Sequence, residues 1–159
     1  MTSTSCPAVP FVPLPAGRVE VTHFGHQALT AAVRGHTLVT DQPLEAGATA
    51  SAPTPVALFV VSLATCIARY ARGFLERHRL DVERLGVTAV FTMADDRPAR
   101  VASVRLRVTV PPGLGEAELS ALGAVVDHCT IHHTLRQSPQ VTVEVDGTTV
   151  PSTVGAPPC

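Results

Sequence analysis

Two cysteines carry most of the chemistry open to this chain. Cys66 stands in SLATCIARYARG (residues 62–73), inside an apolar run that ends in arginines, and Cys129 stands in DHCTIHHTL (127–135). Burial alone raises a thiol pKa and leaves it inert, whereas a nearby cation favours the nucleophilic thiolate. Arg69 shares a helical face with Cys66, and long side chains on a helix lean back toward the preceding turn. Its guanidinium can therefore reach the Cys66 sulfur. Two readings of Cys66 follow: a small apolar core residue, with Arg69 marking where the helix meets solvent, or a thiol poised to react. Cys129 is likewise either a core residue or a partner for Cys66. A cytosolic pair of this kind suits peroxide chemistry: a thiolate attacks the O–O bond to give a sulfenic acid, and the second cysteine condenses with it to a disulfide.

His128, Cys129, His132 and His133 form H-C-x2-H-H, with His36 far upstream. This is not a zinc spacing, no second cysteine pair accompanies it, and no metal is expected. Adjacent helical residues point about 100° apart, so His132 and His133 would not both bind easily. Solvated or capping histidines at a helix end are the simpler reading. No glycine-rich phosphate loop and no G-x-S-x-G elbow is present.

The positioning elements must come from a chain of 159 residues, 45% hydrophobic and 16% charged, which is the composition of a globular protein with a real core. The formal net charge is −1 and the aromatic fraction 4%, so neither nucleic acid nor an anionic membrane surface is an expected partner. All 12 basic residues are arginine. The N-terminal stretch lacks a positive n-region and is broken by Pro7, Pro10, Pro13 and Pro15, unlike a secretion signal. A cytoplasmic location is expected, where cysteines are more often free, catalytic or metal-bound than structurally bridged. Residues 46–68 are uncharged and long enough to span a bilayer, but Pro53, Pro55 and three hydroxyl residues interrupt the first half, which favours a core helix.

Alternation in GRVEVTHF (17–24) predicts a strand. QALTAAVRGHTLVTD (27–41) predicts two more, with a turn near Arg34–His36. Thr54–Pro55 reads as an N-cap followed by proline at the first helical position. The helix that follows, to about residue 79, is apolar nearly all round in its first four turns, so that half is expected to be buried on every side, by sheet and by a partner subunit. Residues 82–93 and 99–111 predict two strands, the second with Val104, Leu106, Val108 and Val110 inward and Arg105, Arg107 and Thr109 outward. Residues 115–129 predict a helix with Leu119, Leu122, Val126 and Cys129 on one stripe, and QVTVEVDG (140–147) a last strand. Strands and helices without regular β-α-β alternation indicate an α+β fold. The expected organisation is one domain over 17–150, between tails at 1–16 and 151–159 that hold Cys6 and Cys159.

Taken together, APTPVALFVVSLATC (52–66), DHCTIHHTL and the strand VTVEV (141–145) resemble the OsmC/Ohr family, named for osmotically inducible protein C and organic hydroperoxide resistance. That family typically shows a Thr-Pro or Asn-Pro helix start, L-x-x-x-L-x-x-C spacing, and a second motif like C-P-V-x-x-T-L. VRGHTLVTDQPLEAGA (33–48) is similar to an R-x-H-x-x-x-x-D-x-P stretch of OsmC-like proteins of unassigned substrate. The likeness runs from about residue 18 to 147.

The resemblance implies an α+β fold of antiparallel sheets wrapped around a long central helix, in an intertwined homodimer. It implies thiol-dependent reduction of organic hydroperoxides, with Cys66 attacking and Cys129 resolving. Arg34 or Arg69 would be the activating cation, and Phe59, Leu63 and His36 would line the substrate pocket. No cofactor is implied, and the reductant would be a small thiol or a lipoylated protein. Two positions depart from the pattern. The family's peroxidases carry a Glu just after the helix-initiating proline, where this chain has Val56 and Ala57, and Thr130 stands where proline is usual. Glu45 could substitute for the first. The alternatives are an OsmC-like protein that binds a small ligand or senses redox state with little turnover, or a structural protein in which both cysteines are core.

Overall fold

The structure, a computed structural model, describes residues 17–150. The two expected tails, with Cys6 and Cys159, lie outside the described residues. The chain divides into two compact units, one up to Pro55 and one from Val56 onward.

The first unit holds an antiparallel meander of β1 (Val19–Gly25), β2 (Ala28–Val33) and β3 (His36–Thr40), paired in that order. The expected turn at Arg34–His36 is a two-residue hairpin closed by the Val33–His36 pair, with Arg34 at φ 49° and Gly35 at φ 80°. Positive φ at both central positions matches the natural twist of paired strands, and glycine takes the second without steric cost. Beyond β3 the chain makes a single 3-10 turn at Leu44–Ala46, which Gly47 ends in the left-handed region.

The second unit is built on α1 (Pro55–Arg77). Its buried side chains are Val60, Leu63, Ile67, Ala71, Phe74 and Leu75, a stripe at helical spacing. The helix stops two residues before the expected end. Arg79 turns left-handed at φ 55°, and the Leu80 amide donates back to the Leu75 carbonyl at 2.9 Å. This closes the last turn in the manner usually left to glycine.

Strands β4 (Gly86–Met93) and β5 (Val101–Thr109) form an antiparallel pair running from Gly86–Thr109 to Met93–Val101. As expected, Val104, Leu106 and Val108 are the less exposed alternates of β5, and Arg105, Arg107 and Thr109 face outward. Val108 packs with α1 residues Ala71, Phe74 and Leu75, and with Leu122 and Val125 of α2 (Glu116–Asp127). Each fully buried Leu or Phe there contributes roughly 1.5–3 kcal/mol relative to an exposed one. A short helix, α3 (Thr130–Arg136), and a hairpin of β6 (Val143–Val145) and β7 (Thr148–Val150) complete the described chain.

Two expectations need correction. Cys129 does not extend α2: that helix ends at Asp127, and Cys129 is the N-cap of α3, at φ −56° and ψ 123°. The stripe of α2 is also rotated, since Leu122 and Val125 are buried while Leu119 is 48% exposed. The first half of α1 leaves Val56, Phe59 and Val61 exposed in the single chain, and the expectation there includes cover by a partner subunit. By length and composition α1 could cross a membrane, but its buried stripe forms the core.

Candidate functional site

Cys66 and Cys129 reach each other because two helices of the second unit present them to one apolar cluster. Cys66 points from the middle of α1 into the same face as Leu63 and Ile67. Cys129, at the break between α2 and α3, is fully buried against those two leucine and isoleucine side chains. Val87, Val104, Leu106, Val126 and Ile131 pack around them. Both cysteines are free thiols; Cys66 is half-buried and Cys129 has no exposed surface.

Burial pushes the Cys129 thiol up to about 11, and the Cys66 thiol beside it adds to the rise. The backbone amides of His132 and Ile131, at the start of α3, pull the other way. Desolvation wins, so Cys129 is a neutral thiol at neutral pH and the more accessible Cys66 is the better placed to meet a substrate.

One hydroxyl pair ties the segment down. Tyr70, one turn after Cys66, meets the Thr130 hydroxyl at 3.3 Å. Thr130 follows Cys129 directly, so this contact links the helix that carries one sulfur to the residue beside the other. A proline at 130 could not make it.

Beside the cysteine cluster runs a groove of about 260 Å³ lined by Leu63, Ile67, Val104, Leu106, His132 and Leu135. Its walls come from α1, β5 and α3, and all but His132 are aliphatic. His132 is held from behind: its Nδ1 lies 3.3 Å from Asp127 Oδ1, and Arg136 reaches the other carboxylate oxygen at 3.5 Å. His128 and His133 stack with ring centroids 6.3 Å apart. Among the described residues no group of three or more metal-ligating side chains gathers.

Of the other expected site residues, Leu63 lines the groove and Phe59 lies exposed on α1. Arg69 is exposed, and among the described residues it makes no hydrogen bond or ion pair. Arg34 and His36 belong to the first unit, exposed in the β2–β3 hairpin.

Asp41 was not singled out as a working residue, yet it is the most heavily bonded side chain in the first unit. It is 1% exposed. Its Oδ2 accepts from the Thr49 hydroxyl at 2.7 Å, the Ser51 hydroxyl at 2.9 Å and the Ser51 amide at 3.0 Å, while Oδ1 accepts from the Gln42 amide at 2.8 Å. Its own amide donates to the Pro53 carbonyl. The Thr49 hydroxyl, then the Ser51 amide, hold this carboxyl well below the usual carboxylate range. Asp41 therefore fixes the loop that delivers the chain to Pro55 and the start of α1. The signal in the sequence was a lone acid ahead of a small-residue, hydroxyl-rich loop.

The family model of OsmC-like proteins matches residues 48–144, more than half of the chain, and spans both cysteines. The chain belongs to the OsmC-like protein family. Solved structures agree on the OsmC-like fold. An OsmC-like protein of Mycoplasma pneumoniae superposes with TM-score 0.64 at 16% identity, over 78% of this chain and 89% of that one. The organic hydroperoxide resistance protein OsmC of Legionella pneumophila gives 0.60 at 20% identity, over 79% and 92%. An organic hydroperoxide resistance protein of Elizabethkingia anophelis, crystallised with thiocyanate bound, gives 0.62 at 15% identity, over 80% and 93%. Among curated proteins none matches.

Proposed function

We infer that this OsmC-like protein is a thiol-dependent peroxidase that reduces organic hydroperoxides through Cys66 and Cys129. The single observation that carries the reading is the gathering of both thiols in one apolar cluster, with an aliphatic groove alongside. The Cys66 thiolate attacks the distal peroxide oxygen; the O–O bond breaks, Cys66 becomes the sulfenic acid, and the alcohol leaves after taking up a proton. Cys129 then attacks the sulfenic sulfur, the S–S bond forms and water departs. A small dithiol or a lipoylated protein returns both sulfurs to thiols by exchange. No other cofactor is required by these steps.

The groove favours a substrate with an apolar body over hydrogen peroxide. The exposed Val56, Phe59 and Val61 on α1 suit a homodimer in which a second copy covers that face. An arginine, Arg34 or Arg69, supplies the cation that favours the Cys66 thiolate in the assembled protein. A reducing cytoplasm suits a disulfide that must be reopened at every cycle.

One observation favours a second reading. Val56 and Ala57 stand where the family's peroxidases carry a carboxylate, which leaves the activating arginine less constrained. A ligand-binding or redox-sensing protein with slow turnover would follow. Stopped-flow oxidation of the reduced protein by cumene hydroperoxide and by hydrogen peroxide, alongside Cys66→Ser, separates the two. A peroxidase reacts far faster than free cysteine and prefers cumene hydroperoxide; a binder reacts no faster than free cysteine.

A further inference from the structure

We propose that His132 is a catalytic residue of this site, the proton donor to the alkoxide that leaves when the peroxide O–O bond breaks. The inference rests on the peroxidase reading of Cys66 and goes beyond it by naming the group that completes the step.

The chemistry requires such a donor. When a thiolate takes the distal oxygen of a hydroperoxide, the hydrogen on that oxygen travels with it into the sulfenic acid. The remaining oxygen departs as an alkoxide, a strong base, and the aliphatic side chains of the groove offer it no proton. A positioned acid there is worth roughly 10²–10⁴-fold. Written in full, the Cys66 thiolate, the hydroperoxide and the proton on His132 give the Cys66 sulfenic acid, the alcohol and neutral His132.

The geometry points to His132 by elimination along the groove wall. Leu63 and Ile67 flank Cys66 on α1, Val104 and Leu106 come from β5, and Leu135 from α3; none can give a proton. His132 is the polar member of the lining. Asp127 at the end of α2 engages its Nδ1 at 3.3 Å, so Nε2 is the ring nitrogen without that partner, and Arg136 shares the same carboxylate. A ring nitrogen fixed by a carboxylate on its far side is the usual way an imidazole is aimed at its task. The His132 backbone amide also faces the Cys129 sulfur, which places the residue at the cysteine pair and not merely at the groove's far end.

The test varies the leaving group. Reduced wild-type protein, His132→Gln and Asp127→Asn are mixed in stopped flow with tert-butyl hydroperoxide, cumene hydroperoxide and peracetic acid, following Cys66 oxidation. Peracetic acid releases acetate, which needs no proton. The expected result for His132→Gln is a loss of roughly 100-fold with the two alkyl hydroperoxides and a far smaller change with peracetic acid. Asp127→Asn is expected to show the same pattern in weaker form. Equal losses with all three oxidants, or no loss with any, would overturn the role of His132 while leaving the peroxidase reading intact. A wild-type protein that reacts with none of them faster than free cysteine does would overturn both.

Discussion

The Cys66 thiol packs into the same apolar cluster as Cys129, although α1 carries one and the break between α2 and α3 carries the other. The two differ in surroundings: Cys66 is half-buried, while Cys129 is sealed from solvent and held as a thiol. This asymmetry supports the proposed roles, attack by the first and resolution by the second.

The resolving step should depend steeply on pH. With its pKa pushed up to about 11 by burial and by Cys66, Cys129 is protonated at neutral pH. Its thiolate fraction rises roughly tenfold per pH unit up to about pH 10. The conversion of the Cys66 sulfenic acid to disulfide, followed by quenching with a sulfenate trap, should therefore accelerate as pH rises across this range. A flat profile between pH 7 and 9 would show that Cys129 is already ionised.

Removing one hydroxyl of the Tyr70–Thr130 pair should loosen the two sulfurs without unfolding the protein. At 3.3 Å the contact is weak, about 0.5 kcal/mol. Tyr70→Phe and Thr130→Ala are each expected to lower the effective concentration of Cys66 for Cys129 roughly two- to threefold, read from disulfide equilibrium in glutathione buffers. Thr130→Ser should restore it. If Thr130→Ser behaves as Thr130→Ala does, the hydroxyl is not what matters.

Asp41 makes an acid-sensitive contribution to stability. Its folded pKa is depressed, by the Thr49 hydroxyl first and the Ser51 amide next. The stabilisation is therefore present above the ordinary carboxylate pKa of about 4 and is lost as pH falls below it. Asp41→Asn should lower the Tm at pH 7, and the gap to wild type should narrow below about pH 4. A gap that stays constant from pH 7 to pH 3 would mean that the carboxylate charge is not what Thr49 and Ser51 recognise.

The strands were legible in the sequence because alternation is a local signal. Val104, Leu106 and Val108 turn inward on β5 as expected, and the Arg34–Gly35 turn sits within the expected Arg34–His36 stretch. The start of α1 at Pro55 was legible for the same reason. The end of α2 was not. Between Asp127 and Thr130 there is no glycine or proline, and apolar residues continue at helical spacing through Cys129, so nothing local announces the break. Arg79 likewise ends α1 in a conformation that sequence rules reserve for glycine.

The candidate site was legible in part. The cysteine motifs carried both thiols, but the proposed proton donor, His132, was hidden among three histidines that spacing alone could not rank. What separates it is its place on the wall of a groove and the Asp127 behind it, both products of tertiary packing. Asp41 was hidden because its donors lie eight and ten residues downstream, across a loop whose path the sequence does not reveal.

Peptide mass spectrometry of the reduced protein after one equivalent of cumene hydroperoxide reads the proposed cysteine chemistry at both sulfurs. An intramolecular disulfide joining the peptides that contain Cys66 and Cys129 is expected, formed in proportion to the peroxide consumed and absent from Cys66→Ser. Oxygenated Cys66 accumulating beside a free Cys129 thiol, or both thiols left unmodified, would contradict it.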